Sequence, residues 1–435
     1  MSLFSLLPFL IVLSGAYFLF KVDFFFIKHP IRTLKFAFHG KNKRKSFFSL
    51  MLALAGTLGV GNISGVAIGI AIGGAGSVFW LIISTLFSSA IKYAEVYISY
   101  RSGGRGILDV IKVSFGEHGG FFASLYAVFI ILLSLFMGSA FQARAISEST
   151  GVFGNCGILI IAPIITAFCI TVTALGKERI KSAVAIIIPL ASIIYTGMCL
   201  FVIFSKFDKL FRVVGIILSS AFSPKSATGG ILGFMTASGI KEGFARGLLS
   251  NEAGAGTSSL SHTSHIDTQK TATATECMRA GIFGVLEVLF DTLLICPLTA
   301  LAILLGTEED LSTTSLSVLC EIFENVISPS APLLLFACIV FFAVSTTLCW
   351  YYYGMVALKF LAPKKRGRVF SLLFFVFFFT ALIYSIPHVL FITDTALFIL
   401  SVISLSALIK NRALIRFERQ ALGKSKLNFK SNKRI

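Results

Sequence analysis

Charged residues are scarce in this chain. Asp, Glu, Lys and Arg make up 13% of its 435 residues, whereas about a quarter is usual in soluble domains. Hydrophobic residues make up 56%, and apolar runs of about 20 residues, long enough to cross the hydrocarbon core of a membrane, recur from end to end. No stretch is long and polar enough to form a separate soluble domain. The chain is therefore predicted to be an all-α integral membrane protein embedded in a lipid bilayer.

Several functional motifs are also missing. The eight cysteines show no CxxC spacing, which argues against a disulfide framework or a structural metal site. The sequence contains no GxxxxGK loop for nucleotide-driven transport and no GxSxG motif for a membrane hydrolase. His262 and His265 lack further ligands at metal-binding spacing and are interpreted as loop residues. We expect neither an enzyme nor a resident cofactor.

The basic residues are unevenly placed. The chain has 38 Lys and Arg against 20 Asp and Glu, a formal net charge of +18, which in a soluble protein would suggest nucleic acid. Here the basic residues lie in short loops between apolar runs, as they do in cytoplasmic loops of membrane proteins. We therefore expect no nucleic-acid partner, and no obligatory protein partner is evident.

Hydropathy predicts eleven transmembrane spans. They lie near residues 4–26, 47–73, 77–100, 121–147, 156–176, 182–205, 229–260, 280–304, 331–360, 369–387 and 391–410. The first run begins MSLFSLL without a basic segment, so it is interpreted as a span rather than a cleaved signal.

The loop charges predict the orientation. Under the eleven-span count, the Lys- and Arg-rich connections fall on one side: 27–46, 101–112, 177–181, 359–368 and the tail from Lys410. The acidic loop 305–330 falls on the other side. The positive-inside rule then places the N-terminus outside and the C-terminus in the cytoplasm of a bacterial inner membrane. The basic loop 206–228 is the exception, and its segment FDKLFRVVGIIL is interpreted as an interfacial amphipathic helix.

Two spans are poor membrane helices. The second span holds eight glycines between Gly56 and Gly76, and the seventh holds eight between Gly229 and Gly256. One interpretation is close helix packing, because glycines from Gly61 to Gly73 recur at four-residue spacing. The other is that each helix breaks, since glycine tolerates unwinding and the freed backbone groups then need polar partners or a ligand.

The positions of these two spans suggest an internal repeat. If the first span is peripheral, two sets of five spans follow, and each set opens with a glycine-interrupted segment. Paired broken helices in corresponding positions are typical of transporters with an inverted five-plus-five repeat and a substrate site at the midplane. Clustering of polar residues at two breaks, without repeated filter loops, favours alternating access over a channel. The predicted units are 1–46, 47–205 (first repeat), 206–228 (external connection), 229–410 (second repeat) and the basic tail 411–435.

Long motifs resemble a known family. GTLGVGNISGVAIGIAIGGAGSVFW, followed by KYAE and YR, closely resembles a signature of the alanine/glycine:cation symporter family, and RGLLSNEAGAGTSS resembles its second signature. FDTLLICPLTA, FAVSTTLCWYYYG and GSAFQARAIS also look like family segments, so the resemblance runs from about residue 45 to 410. It implies a fold like that of the sodium-coupled leucine transporter. It also implies symport of a small neutral amino acid, alanine or glycine, with sodium or sometimes a proton.

The resemblance also implies a substrate site. The turn Gly59, Val60 and Gly61 would offer backbone N–H groups to the substrate carboxylate. The side chains lining the pocket would be those of Gln142, Ser250 and Asn251. Trp350 would cap the substrate, with an interfacial anchor as the alternative.

A cation site is implied beside it. Thr57 and Asn62 would offer oxygens to the cation. Ala343, Thr346 and Thr347 stand at i, i+3 and i+4, which puts a carbonyl and two hydroxyls on one helical face, and they resemble the second sodium site of the leucine-transporter fold. The alternative is that both hydroxyls bond back to their own helix.

Three acidic residues inside spans need explanation. Glu252, Glu287 and Asp291 either line a proton or cation route or are neutralised by Arg144, Lys241 or Arg246, and the second interpretation is preferred.

The sequence departs from the family at Ala75, where proline is usual, at Arg144, where asparagine is usual, and at GGRGILDVI from Gly103, where a GGPMYY-like segment is usual. Arg144 is expected to face an outer vestibule or to alter the charge of the pocket.

Overall fold

A computed structural model of the chain carries side chains and describes most of its length. The described residues are 6–38, 43–102, 106–153, 157–222, 238–264, 272–307, 315–362 and 367–415. Some sequence-based predictions concern residues outside these ranges, namely His265, the acidic residues Glu308, Glu309 and Asp310 of the loop 305–330, the beginning of the seventh span and most of the basic tail. Within the described ranges every regular element is helical.

Twelve α-helices are described before residue 223. They are α1 (Leu7–Lys21), α2 (Phe25–Lys28), α3 (Pro30–Phe38), α4 (Lys43–Thr57), α5 (Ser64–Gly73), α6 (Gly76–Ser102), α7 (Ile107–Ser114), α8 (Gly119–Leu135), α9 (Gln142–Ser149), α10 (Gly157–Ala174), α11 (Lys177–Ser205) and α12 (Phe207–Ala221). A π-helical segment, Phe136–Phe141, joins α8 to α9. Short 3-10 turns occupy Val60–Asn62, Gly116–His118 and Thr150–Phe153.

Eight α-helices are described after residue 237. They are α13 (Ser238–Asn251), α14 (Thr257–His262), α15 (Ala274–Val288), α16 (Cys296–Gly306), α17 (Leu316–Val326), α18 (Ala331–Leu361), α19 (Gly367–Ile383) and α20 (Val389–Lys410). A second π-helical segment, Leu289–Ile295, joins α15 to α16. A 3-10 turn, Arg412–Leu414, follows α20.

The membrane-spanning elements agree with the predicted positions only in part. In the described ranges, seven helices are long and apolar enough to cross a membrane, and the bent pair formed by α4 and α5 makes an eighth. Two more predicted spans correspond to shorter apolar helices, Leu7–Lys21 and Gly367–Ile383. The seventh predicted span is represented by α13 and α14. The chain is therefore a multi-pass helical protein, while the count of eleven stays a prediction.

The second predicted span breaks where its glycines cluster. Helix α4 ends at Thr57, α5 begins at Ser64, and the two parts are bent by 57°. Gly59 between them is extended, with φ −123° and ψ −165°. The Asn62 side-chain oxygen accepts a hydrogen bond from the Gly59 N–H at 3.2 Å. The amide side chain thus replaces a helical acceptor that the break has removed.

The seventh predicted span breaks as well. Helix α13 ends at Asn251 and α14 begins at Thr257. Between them Glu252 has φ +53°, and Gly254 and Gly256 have φ +84° and +90°. Three left-handed residues within five positions end one helix and start another. Glycine lowers the cost at two of them, whereas Glu252 is a side-chain-bearing residue in a rarely populated conformation.

The glycine stripe of the first broken helix packs directly on the second. A Cβ at Gly65 would lie 3.4 Å from Leu249, one at Gly69 would lie 2.8 Å from Arg246, and one at Gly73 would lie 3.0 Å from the Glu242 Cβ. The four-residue spacing therefore brings α5 against α13, as the packing interpretation expects. The break lies just before this stripe, so both interpretations of the glycines hold for this segment.

Helix α12 lies where an amphipathic connection was expected. It spans Phe207–Ala221 and buries Val213, Ile217 and Ala221, which share one face at four-residue spacing. The Trp80 indole N–H donates to the Ala221 carbonyl at 3.2 Å. This contact ties the connection to α6. Its position at a membrane interface stays a prediction.

Replacement of Gly243 tests the packing of α13 on α6. A Cβ there would lie 2.6 Å from both the Ser77 carbonyl oxygen and the Trp80 Cβ. Because a main-chain carbonyl cannot move aside cheaply, we expect Gly243→Ala to destabilise the protein by about 1–3 kcal/mol. Gly197→Ala is the matched control, since no described residue lies within 4 Å of its added Cβ. Thermal unfolding in detergent, followed by size-exclusion fluorescence, should show a lower midpoint for Gly243→Ala alone. Equal midpoints would contradict this packing.

Candidate functional site

A small cavity lies beside the break of the first broken helix. Its lining residues come from that break, from the π-helical segment with the start of α9, from α13 and from α18: Gly56, Thr57, Gly59, Gly61, Met137, Phe141, Gln142, Leu249 and Thr346. Its volume of about 10 Å³ is the space of roughly one water molecule. In this conformation the cavity is too small for an amino acid. Five residues that sequence had assigned to substrate or cation nevertheless meet around it.

Gln142 connects the break to the π-helical segment. Its side chain is 2% exposed. The side-chain oxygen accepts from the Val60 N–H at 3.2 Å, and the side-chain NH₂ donates to the Met137 carbonyl at 3.1 Å. An amide needs both kinds of partner when it is buried, and here it finds them on two different elements. Gln142 thus holds one of the backbone N–H groups that the break releases.

The closest approach to the break occurs at Gly59 rather than at Gly61. A Cβ at Gly59 would lie 2.6 Å from the Thr346 hydroxyl oxygen and 3.1 Å from the Gln142 side-chain oxygen. A Cβ at Gly61 would meet Leu249 only at 3.8 Å, an ordinary contact. Sequence alone had treated the two glycines alike. The structure distinguishes them because only Gly59 faces both polar side chains.

Among the described residues, neither the Thr346 nor the Thr347 hydroxyl bonds back to its own helix, α18. The Thr346 hydroxyl donates to the Leu58 carbonyl at 3.4 Å, which joins α18 to the first break. Thr347 is buried, and in the described part of the chain its hydroxyl has no hydrogen-bond partner. Ala343 is fully buried one turn earlier. The alternative in which both hydroxyls bond back to α18 is wrong for this conformation.

Thr57 behaves differently from Thr346. Its hydroxyl lies 3.4 Å from the Ala53 carbonyl and 3.5 Å from the Leu54 carbonyl, within its own helix. Although Thr57 lines the cavity, its hydroxyl is turned back toward α4. Its carbonyl accepts from the Gly59 N–H at 2.8 Å.

Asn62, Ser250 and Asp291 form a buried network between the two breaks. The Asn62 NH₂ donates to the Ser250 hydroxyl at 3.1 Å and also to the Asp291 carboxylate. Ser250 donates to the same carboxylate at 2.5 Å. All three side chains are at most 1% exposed. The network links both broken helices to the second π-helical segment. Ser250 is not among the residues that line the cavity.

Asn251 and Trp350 also lie away from the cavity lining. Asn251 donates to Thr292 at 3.0 Å and accepts from the Ala253 N–H at 2.9 Å, so its amide supports the second break. The Trp350 ring is fully buried and packs on Tyr353, with centroids 5.4 Å apart. Such burial is at odds with an interfacial anchor, the alternative considered from sequence. A capping role for Trp350 stays a prediction.

The predicted neutralisation of the acidic residues is wrong in its partners. Arg144 is exposed and pairs with Glu148 at 2.6 Å, so it enters neither the cavity nor the acidic groups. Arg246 pairs with Glu242 and Asp394, and Lys241 lies 3.9 Å from Glu242. Glu287 instead pairs with Lys92 at 3.3 Å. Sequence reasoning missed Lys92 because it treated KYAE only as a family motif. A lysine inside a membrane span could have indicated a buried partner.

Metal-binding clusters are lacking in the part of the chain that the structure describes, where no three His, Cys, Asp or Glu could hold a metal ion. Oxygen donors are present instead: carbonyls at the break and hydroxyls on α18. Hard oxygen donors suit small alkali and alkaline-earth cations rather than transition metals.

Comparison with solved structures identifies the fold. A crystal structure of the manganese transporter of Eremococcus coleocola, in complex with an aromatic bis-isothiourea substituted compound, superposes with a TM-score of 0.55 at 13% sequence identity. The match covers 89% of this chain and 85% of that one. At this identity the likeness shows a shared fold and nothing about the substrate.

Comparison with known sequences is more specific. An uncharacterized transporter of Haemophilus influenzae is 30% identical over 380 residues, covering 84% of this chain and 82% of the relative. The sodium/alanine symporter AgcS of Methanococcus maripaludis is 28% identical, covering 89% and 88%. The probable sodium/glutamine symporter GlnT of Bacillus subtilis is 29% identical, covering 83% and 76%.

A family model agrees with these relatives. The model described as the sodium:alanine symporter family matches residues 1–426. It spans both broken helices, the cavity between them and the network of Asn62, Ser250 and Asp291. The chain is a membrane transporter, not an enzyme, and it belongs to the sodium:alanine symporter family.

Proposed function

We propose that this chain is a secondary active transporter that couples uptake of a small neutral amino acid, alanine or glycine, to sodium. One observation carries the proposal: Gly59, Gln142 and Thr346, which come from three different elements, converge on a break in a membrane helix. Unwound backbone at membrane depth is tolerated where it lines a binding cavity. Membership of the family, and the name of the relative AgcS as a sodium/alanine symporter, support the same proposal. A proton is the alternative coupling ion.

The substrate carboxylate is proposed to bind the turn from Gly59 to Gly61. The Val60 N–H now donates to the side-chain oxygen of Gln142, which occupies the position proposed for a carboxylate oxygen. Substrate entry would displace this amide, and Gln142 would then bond to the amino acid. The first half-helix also ends here, so its last carbonyls favour the positive amino group and a nearby cation.

The cavity wall is proposed to select a small side chain. Met137, Phe141 and Leu249 supply its apolar part. A glutamine side chain carries an amide that these residues could not satisfy, and burying it unpaired is unfavourable. Alanine or glycine therefore fits this wall better than glutamine, the substrate that the name of the relative GlnT gives. Ser250, Asn251 and Trp350 would approach the substrate only after the surrounding helices move.

Sodium is proposed to join α18 to the first break. Thr346 already contacts the Leu58 carbonyl across this junction, and the Thr347 hydroxyl is buried without a partner among the residues that the structure describes. With the Ala343 carbonyl and oxygens of Thr57 and Asn62, these groups form a set of hard donors. An ion bound between two helices stabilises the conformation that holds them together.

The five-plus-five arrangement is proposed together with this mechanism. Each proposed unit begins with a glycine-rich segment that contains a helix break. Both breaks lie beside the network of Asn62, Ser250 and Asp291. We propose units at 47–205 and 229–410 with opposite orientations, a peripheral first span, an outside N-terminus and a cytoplasmic C-terminus. The basic loops support this orientation.

Uptake into proteoliposomes tests the proposed function. Sodium applied outside should drive accumulation of radiolabelled alanine or glycine, and unlabelled glutamine should compete poorly. A proton gradient without sodium serves as the comparison. Ion current without movement of substrate would indicate a channel instead. Accumulation driven by protons alone would replace sodium as the coupling ion.

Gly59→Ala tests the position of the carboxylate site. The added methyl would crowd both Thr346 and Gln142 and would stand where the proposed site brings the substrate carboxylate against the backbone. A steric penalty of about 1–3 kcal/mol against bound substrate would lower its affinity roughly 5- to 150-fold. Gly61→Ala, whose Cβ has ordinary contacts, should bind nearly as the wild type does. Substrate affinity should be measured by scintillation proximity. Equal losses in the two variants would argue against the assignment.

Gln142→Ala tests the polar contact to the substrate. Loss of a hydrogen bond to a charged group costs roughly 1.5–3 kcal/mol, which is about 10- to 150-fold in affinity. We expect weaker binding and a changed order of preference among alanine, glycine and serine. Competition curves that overlay those of the wild type would make Gln142 a packing residue.

Thr346→Val tests the sodium site. Valine keeps the shape of threonine but deletes the hydroxyl, so half-maximal uptake should require much more sodium, with substrate binding retained at saturating sodium. Thr346→Ser keeps the hydroxyl and should restore sodium dependence. Uptake should be measured against sodium concentration at fixed pH. A valine variant with the sodium curve of the wild type would contradict the site.

A further inference from the structure

A second group of ionisable side chains lies away from the cavity. We call it the buried charge cluster, and its members are Lys92 and Glu95 on α6, Glu252 at the second break, His262 on α14 and Glu287 on α15. Lys92 and the three glutamates are fully buried, and His262 is 2% exposed. The proposed function uses none of them. Ionisable groups held inside a membrane protein are expensive and mark functional pathways.

Glu287 is the best-neutralised carboxylate of the cluster. Its oxygen lies 3.3 Å from the Lys92 ammonium, and Ser258 donates to the same oxygen at 2.5 Å. Lys92 also donates to Ser258 at 2.5 Å. The pair is therefore both charge-matched and hydrogen-bonded, the condition under which a buried ion pair is tolerated.

Glu95 is stabilised by backbone amides. Its two oxygens accept from the Gly254 N–H at 3.3 Å and from the Ser259 N–H at 3.4 Å. Both amides belong to the second break or to the start of the helix after it. Hydrogen bonds from main-chain N–H groups favour the ionised form of a carboxylate. Both oxygens of the Glu95 carboxylate thus have backbone donors.

The Glu252 carboxylate has neither a paired cation nor a backbone N–H donor among the described residues. One carboxylate oxygen accepts from the Thr257 hydroxyl, and the other has no hydrogen-bond partner in the described part of the chain. Within the same residues, no ammonium, guanidinium or imidazole nitrogen lies within 4 Å of it. Its backbone is also strained, with φ +53°. Such strain at a buried, unpaired polar residue is characteristic of functional positions.

Two further atoms of the buried charge cluster lack hydrogen-bond partners among the described residues. The Nε2 atom of His262 lies 3.5 Å from a Glu287 oxygen, and neither atom has a hydrogen-bond partner among the residues described. His262 lies in helix α14 with its side chain 3% exposed, so its interpretation as a loop residue is wrong. This nitrogen therefore points into the charge cluster, where a proton on it would strengthen the contact.

The charges of the cluster do not balance. Three carboxylates face one ammonium, and His262 adds a positive charge only when it is protonated. Among the described residues, the other titratable groups around Glu252 and Glu287 are neutral or acidic: Tyr126 on α8, Cys349 and Tyr353 on α18, and Asp291 on the second π-helical segment. An uncompensated buried negative charge is strongly unfavourable, so the site favours binding of a proton.

We propose that Glu252 binds an exchangeable proton and that proton movement accompanies the transport cycle. A proton from water on one side binds the unpartnered Glu252 oxygen and forms an O–H bond there. When the second break opens, this O–H bond breaks and the proton returns to water. Because Glu252 is itself part of the break, displacement of α14 changes the surroundings of its carboxyl. This inference rests on the proposed function and adds a proton to sodium and the amino acid.

Infrared spectroscopy of the purified full-length protein tests the protonation directly. The wild type should show a carboxylic-acid C=O band that disappears on raising the pH. Glu252→Gln should lack this band. The matched control is Glu276→Gln, at an exposed N-terminal capping position where glutamine also serves, and it should keep the band. The same titrating band in Glu252→Gln would overturn the assignment.

Transport measurements test the linkage. For one linked proton, the apparent substrate affinity of the wild type should change by up to about tenfold per pH unit over part of the range. Glu252→Gln should lose that dependence while sodium still drives uptake, and Glu276→Gln should retain it. A pH dependence that is unchanged in Glu252→Gln would reject the role of this residue.

A further measurement needs no variant. A pH-sensitive dye inside wild-type proteoliposomes should report proton movement during sodium-driven alanine uptake and none in protein-free vesicles. Sodium-driven uptake with a constant internal pH and no pH dependence would overturn this inference alone. Absence of sodium-driven uptake would instead contradict the proposed function.

Discussion

A membrane helix can break only where other groups replace the hydrogen bonds that the break removes, and in this protein Asn62 meets much of that requirement. Its oxygen accepts from the Gly59 N–H, while its NH₂ reaches Ser250 and Asp291. One side chain therefore stabilises the first break and attaches it to the second. Without it, the Gly59 N–H would keep only the Thr57 carbonyl as acceptor, and the Asp291 carboxylate would lose one of its donors, in a region with little water. The cavity, the position of Gln142 and the contact of Thr346 all depend on the break being held in this shape.

Sequence could predict the local features of this arrangement. Glycine clusters and polar residues within apolar runs indicated both breaks, and motif resemblance assembled Gly59, Gln142 and Thr346 before their contacts were known. The long-range partners could not be predicted in the same way. Asn62 and Asp291 are 229 residues apart, and the acidic residue could as well have paired with an arginine. Trp350 was ambiguous because periodicity does not tell which helix its face meets.

The two π-helical segments explain part of what sequence missed. Phe136–Phe141 directly precedes Gln142, and Leu289–Ile295 contains Asp291. A π-turn adds a residue to the helical turn and rotates the side chains that follow, and such turns are frequent at functional sites. Regular helical spacing would therefore misjudge the direction in which either residue points. Here the turn also leaves the Met137 carbonyl available to the Gln142 amide.

The glycine stripe between α5 and α13 affects how the protein can change shape. Backbone lies against side chain along this contact, with little free space at Gly69 and Gly73. Tight, closely fitted surfaces resist separation, and conformational changes in proteins usually concentrate at hinges between such bodies. Helices α5 and α13 are therefore expected to move together as one rigid body. Flexing would then fall on the short unwound turns at their ends, so that each turn serves as both a binding surface and a pivot.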